Sequence, residues 1–175
     1  TQTYGGGLTT TSVGSTVTLN GTIVTSNDAV VLGAVTLGSA TTVDTNASSD
    51  AGDITVAAIT GGSNNLTLST GDNITGADIT ASGAISGLGN LTLADVGGTA
   101  TFSNNVAAAA LNANNPVANI IFTGRPNTCS AASTLYNDGT FTFGNPTEHD
   151  LTLKAHLHHA RANARTNLKN QINRQ

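Results

Sequence analysis

A three-residue unit, apolar-Thr-apolar, recurs along this chain and limits the folds open to it. It stands at Val17-Thr18-Leu19, Val35-Thr36-Leu37, Leu66-Thr67-Leu68, Leu91-Thr92-Leu93, Phe141-Thr142-Phe143 and Leu151-Thr152-Leu153. Side chains in each unit alternate with a period of two, the mark of a half-buried strand. Thr and Val also suit a pleated surface. Between the units lie turn-forming clusters such as Asn20-Gly21, Ser26-Asn27-Asp28, Gly61-Gly62-Ser63-Asn64-Asn65, Gly71-Asp72-Asn73, Gly97-Gly98 and Asn137-Asp138-Gly139. Gly and Asn tolerate the positive φ that tight turns require. Longer segments repeat as well. Asn65-Leu66-Thr67-Leu68 returns as Asn90-Leu91-Thr92-Leu93, and Asp53-Ile54-Thr55 as Asp78-Ile79-Thr80, both offset by 25 residues.

Many short strands with frequent turns fit a sandwich, a barrel or a solenoid. Repetition favours the solenoid, because each stacked coil reuses one supersecondary unit. Composition agrees. Aromatic residues make up 3% of the chain, Trp and Met are absent, and Val, Ile, Leu and Ala supply the apolar mass. Such residues suit a thin, regular core, and interior Asn and Thr can stack in ladders along its axis. Only 9% of residues are charged, against about 25% in ordinary soluble domains. The apolar fraction is still 38%, so the low-hydrophobicity, high-charge signature of disorder is not met. At roughly 20 residues per coil and about 4.8 Å between strands, residues 1–150 predict about seven coils and a rod roughly 35 Å long.

The stretch Gly52-Asp53-Ile54-Thr55-Val56-Ala57-Ala58-Ile59-Thr60-Gly61-Gly62, followed by Asn65-Leu66-Thr67-Leu68, resembles repeats of very large bacterial surface proteins. These are the filamentous-haemagglutinin-like and autotransporter-adhesin-like β-solenoids. Leu135-Tyr136-Asn137-Asp138-Gly139-Thr140-Phe141-Thr142-Phe143-Gly144-Asn145 is similar to the close of one long repeat. Tyr4-Gly5-Gly6-Gly7-Leu8-Thr9-Thr10-Thr11 is similar to the start of the next. The resemblance covers about residues 1–153. It implies an all-β fold, a right-handed parallel β-helix, together with secretion and a place at the bacterial cell surface. The chain begins at Thr1 and is read as a piece of a longer protein.

Charge divides the chain near residue 150. Residues 1–150 hold all ten acids and one base, Arg125, for a net −9, and residues 151–175 hold five bases and no acid. Two parts are therefore expected: a solenoid body over 1–150 and a basic tail over 151–175. Leu153, Leu157, Ala160, Ala164, Leu168 and Ile172 fall three and four apart, an apolar stripe on a helix. Asp150 stands where an N-cap would. Three readings of this tail stay open: a cap over the last coil, a basic arm, or a stretch from a truncated or misread gene fragment.

Catalytic and metal constellations are weak. His156, His158 and His159, which could join His149 as metal ligands, sit among Ala, Leu and Arg rather than beside the carboxylate or carbonyl groups that orient metal-bound imidazoles. Cys129, the sole cysteine, precludes an intrachain disulfide. It falls in the polar stretch Asn127-Thr128-Cys129-Ser130, read as a loop, and pairing with His149 leaves no orienting third group. The best candidate carboxylate pairs in the body, Asp50 with Asp53 and Asp72 with Asp78, are read as solvated turn residues ahead of glycan-cleaving or calcium-binding ones. Gly5-Gly6-Gly7 and Gly87-Leu88-Gly89 complete no phosphate-binding fingerprint. A body at −9 repels phosphate, which disfavours nucleic acid. No apolar run reaches the roughly 18–20 residues of a membrane span.

These readings predict a non-enzymatic structural and adhesive segment, a stalk or spacer, with no cofactor and no bound metal. Its partner would be a host or surface glycan or protein, and end-to-end self-association is expected. The alternative is an ice-binding or other ligand-binding solenoid displaying Thr18, Thr36, Thr67 and Thr92 as one surface array. Their spacings of 18, 31 and 25 residues argue against a strict one-coil register. A glycan-active β-helix enzyme is a third, more remote reading.

Overall fold

The computed structural model describes residues 1–46, 52–71, 76–113, 117–137, 139–144, 151–153 and 158–159. Among these residues the fold is all-β, a parallel solenoid of about six turns with no helix. Fifteen strands join in one sheet, and every pairing is parallel. In order they are β1 (Gln2–Tyr4), β2 (Leu8–Thr9), β3 (Val17–Thr25), β4 (Val30–Asp44) and β5 (Ile54–Thr60). Then come β6 (Leu66–Gly71), β7 (Ile79–Ala81), β8 (Ile85–Phe102), β9 (Val106–Ala113) and β10 (Val117–Phe122). The last are β11 (Asn127–Cys129), β12 (Thr134–Leu135), β13 (Phe141–Phe143), β14 (Leu151–Leu153) and β15 (His158–His159).

Each coil supplies three runs of ladder, and each run stacks on its counterpart in the next coil to make a face. Face 1 takes β2, the start of β4, the start of β5, β7, the end of β8, β10 and β13. Face 2 takes the start of β3, the middle of β4, the end of β5, the starts of β8 and β9, β11 and β14. Face 3 takes β1, the ends of β3 and β4, β6, the middle of β8, the end of β9, β12 and β15. The long strands turn corners without leaving the ladder. In β4 the alternation slips between buried Leu32 and buried Val35, with Gly33 and Ala34 between them, and the chain passes from face 1 to face 2.

Inward side chains form columns of like residues. Val30, Ile54, Ile79, Ala100 and Ile120 stack under face 1, and Val35, Ile59, Ile85 and Val106 under face 2. Ile23, Val43, Leu68, Leu93, Ala113 and Leu135 stack under face 3. All are buried, and each Leu or Ile contributes roughly 1.5–3 kcal/mol by leaving water. Leu19 and Leu37 also stack inside, on face 2. Toward the C-terminal coils the phenyl rings of Phe102 and Phe122 stack with centroids 4.8 Å apart. Regular columns explain how so few aromatics make a core: each coil fills only its own layer.

Two expectations change in detail. The coils number about six rather than seven, because those in the middle exceed 20 residues: Ile54 pairs with Ile79, 25 positions on. At about 4.8 Å per rung, the length becomes roughly 29 Å. Second, the ladder runs past residue 150, since β14 pairs with β11 and β15 with β12. Residues 151–153 are strand, as their apolar-Thr-apolar unit predicts, and 158–159 are strand where the apolar stripe predicted helix; the rest of that predicted helix lies outside the described residues.

Candidate functional site

The outward positions of the three faces carry the candidate surface. Thr18, Thr36, Thr67 and Thr92 do not make one rank. Thr18 pairs with Thr36, and Thr36 with Thr60, on face 2. Thr67 pairs with Thr92 on face 3. The corner between the faces separates the two pairs. There β4 sets Leu37 and Thr41 opposite Leu19 and Gly21 of β3, so Gly38, Ser39 and Ala40 occupy the place of Asn20 alone.

A longer rank exists, made of partly different residues. On face 3, Thr22 pairs with Thr42, Thr42 with Thr67, Thr67 with Thr92, Thr92 with Asn112, and Asn112 with Thr134. All six are half-buried, and the next residue of each strand points inward and is buried. Irregular coil length does not break this rank, because extra residues go into corners and loops while the faces stay in register. Thr22 and Thr42 escaped the sequence reading because Gly21 and Thr41 stand before them instead of a large apolar residue. The following Ile23 and Val43 were the available signal: Thr before a large aliphatic residue in a turn-bounded strand. Faces 1 and 2 are less even. Face 1 reads Thr9, Val31, Thr55, Thr80, Thr101, Ile121 and Thr142, and on face 2 Ala107 pairs with Thr128.

A second threonine column lies inside. Thr25, Thr45 and Thr70 are almost wholly buried, and each hydroxyl donates to a carbonyl at the corner leading into face 1. The acceptors are Asp28 O at 2.6 Å, Gly52 O at 2.6 Å and Ala77 O at 3.2 Å. A buried carbonyl without a partner is unfavourable, so this column stitches each coil closed. In contrast, the hydroxyls of Thr22, Thr42, Thr67 and Thr92 make no hydrogen bond among the described residues.

Acidic and amide side chains at the corners hold neighbouring coils together. Asp53 Oδ1 accepts the Asp78 backbone N–H at 2.8 Å, and Asp78 Oδ1 accepts that of Thr99 at 2.7 Å. Asn65 Oδ1 accepts the Asn90 N–H at 2.8 Å. Asn127, buried in an otherwise apolar column, accepts from Val106 N and donates to Gly124 O. Asp53 and Asp78 thus stack as coil-to-coil acceptors, while Asp50 and Asp72 lie outside the described residues. No group of three or more His, Cys, Asp or Glu able to hold a metal occurs among the described residues. His149 and His156 lie outside them.

Cys129 is not in a loop. It ends β11, is buried, and is a free thiol. Burial pushes its pKa up, opposed in part by hydrogen bonds with Ser133 and the Leu111 backbone. A thiol held protonated is a poor nucleophile. Its outward neighbour Thr128 is exposed, so the polar sequence around Cys129 reflects strand alternation rather than a turn.

No helix among the described residues is long and apolar enough to cross a membrane. Comparison with protein-family models, with curated proteins and with solved structures gives no match.

Proposed function

We propose that this chain is a non-enzymatic structural segment, a stalk or spacer, of a large secreted protein at a bacterial cell surface. The observation that carries the reading is the parallel ladder, which runs from β1 to β15 on three faces. Backbone hydrogen bonds run along the axis of such a body, and parting two coils means opening the rungs of all three faces between them, so the segment resists extension. The repeats that resemble filamentous-haemagglutinin-like and autotransporter-adhesin-like proteins support the same role. Adhesion, in this reading, is spread over rows of Thr and Asn, each contact weak and the sum strengthened by their rigid linkage.

Single-molecule pulling of the chain by its two ends tests the spacer role. Discrete force peaks as coils peel away are expected. Extension along a featureless random-coil curve would sink the proposal. Protease shaving of intact producing cells tests location: the parent protein should be lost from the cells without lysis.

A further inference from the structure

We propose that face 3 is an ice-binding surface, with Thr22, Thr42, Thr67, Thr92, Asn112 and Thr134 as its contact rank. The inference is independent of the spacer role. It rests on three properties of the rank together. First, it is continuous: each member is the direct register partner of the next across six coils. Strand spacing therefore sets a constant repeat of about 4.8 Å, a scale comparable with the repeat of oxygen rows in ice.

Second, the rank is preorganised. Threonine is β-branched and stiff at χ1, and each residue is flanked along its strand by a buried aliphatic or alanine side chain. The hydroxyls of Thr22, Thr42, Thr67 and Thr92 are not committed to the protein among the described residues. They present hydroxyl and methyl groups at fixed positions, so little rotational freedom is lost on contact.

Third, its chemistry narrows the partner. None of the six positions is charged or aromatic. A charged partner finds nothing to pair with in this rank, and a sugar polymer finds no ring to stack on. A lattice that repeats at the strand spacing rewards what the rank does offer, many identical weak contacts made at once by one rigid body. The outward ranks of the other faces are interrupted by apolar residues, Val31 and Ile121 on face 1 and Ala107 on face 2, whereas the face 3 rank passes from Thr to Asn112 and Thr134, and its next register partner is His158.

The test is ice-crystal shaping and thermal hysteresis of the whole 175-residue chain, with Thr67→Lys and Thr92→Lys on face 3 and Thr80→Lys on face 1. Circular dichroism checks that each variant keeps its β-structure. The expected result is a hysteresis gap and faceted crystals for the parent and for Thr80→Lys, with both lost in folded Thr67→Lys or Thr92→Lys. Absence of shaping by the folded parent chain would overturn the proposal. So would equal loss in the face 1 and face 3 variants. Retention on crystalline cellulose or chitin without ice activity would also overturn it and assign the rank to a polysaccharide.

Discussion

Two threonine columns run along face 3, three residues apart. Thr22 and Thr25 share β3, and in the next coils Thr42 is followed by Thr45 and Thr67 by Thr70. An odd separation in a strand places the two on opposite sides. The inner column gives its hydroxyls to corner carbonyls and closes the coil. The hydroxyls of the outer column make no hydrogen bond among the described residues. One residue type thus does two jobs, and strand parity decides which. In the following coil the outer column continues as Thr92, while the residue three further on is Asp95, at a positive φ of 52°.

The comparison breaks most severely if the layer that carries both columns is removed. Leu68→Ala empties a fully buried position in the face 3 stack, between Thr67 and Thr70, and should cost about 2–5 kcal/mol, read as a lower urea midpoint. Within the columns, Thr45→Val leaves Gly52 O buried and unpaired, an expected loss of about 1–3 kcal/mol. A loss as small as that of a surface change would show that the inner hydroxyl does not hold the corner.

Asp78→Ala removes the acceptor for the Thr99 N–H. Being at an exposed corner, it should lower the melting temperature by less than Thr45→Val. Thr42→Val touches only the outer rank and should stay within about 0.5 kcal/mol of the parent. A large loss there would mean that the outer column is structural after all.

Cys129 sharpens the contrast between inside and outside through pH. Its pKa in the folded state lies above that of the unfolded chain. Its contribution to stability is therefore complete below the ordinary thiol value of about 8.5 and declines as pH rises through the higher folded value. Urea titrations from neutral to strongly alkaline pH should show a fall in stability that is smaller in Cys129→Ala. An unchanged pH slope in that variant would remove the thiol from the account.

Glycine marks where coils approach most closely. A Cβ at Gly83 would overlap the carbonyl of Ala57 in the preceding coil. Such a requirement is invisible in the sequence, where Ser82-Gly83-Ala84 reads as an ordinary turn. The same holds for Gly124 against the backbone of Asn104. Cys129 shows the converse error: Asn127-Thr128-Cys129-Ser130 is polar enough to suggest a loop, yet Asn127 is a buried strand residue whose amide oxygen and nitrogen each have a backbone partner.

The sequence by itself determined the strand units and their in-out alternation, which follow from period-two patterning and local turn chemistry acting over a few residues. The 25-residue repeat favoured stacked coils, and the family resemblance implied that they run parallel. The leucines that close four of the units, Leu19, Leu37, Leu68 and Leu93, are all buried. Only the tertiary structure decided which coil position faces which. It divided Thr18 and Thr36 from Thr67 and Thr92, and joined Thr22 and Thr42 to the latter pair. The physical reason is that spacing along the chain counts loop and corner residues equally with strand residues, whereas register counts only hydrogen-bonded rungs. A coil can gain residues at a corner without moving its face, so the order of the rank is written in the ladder.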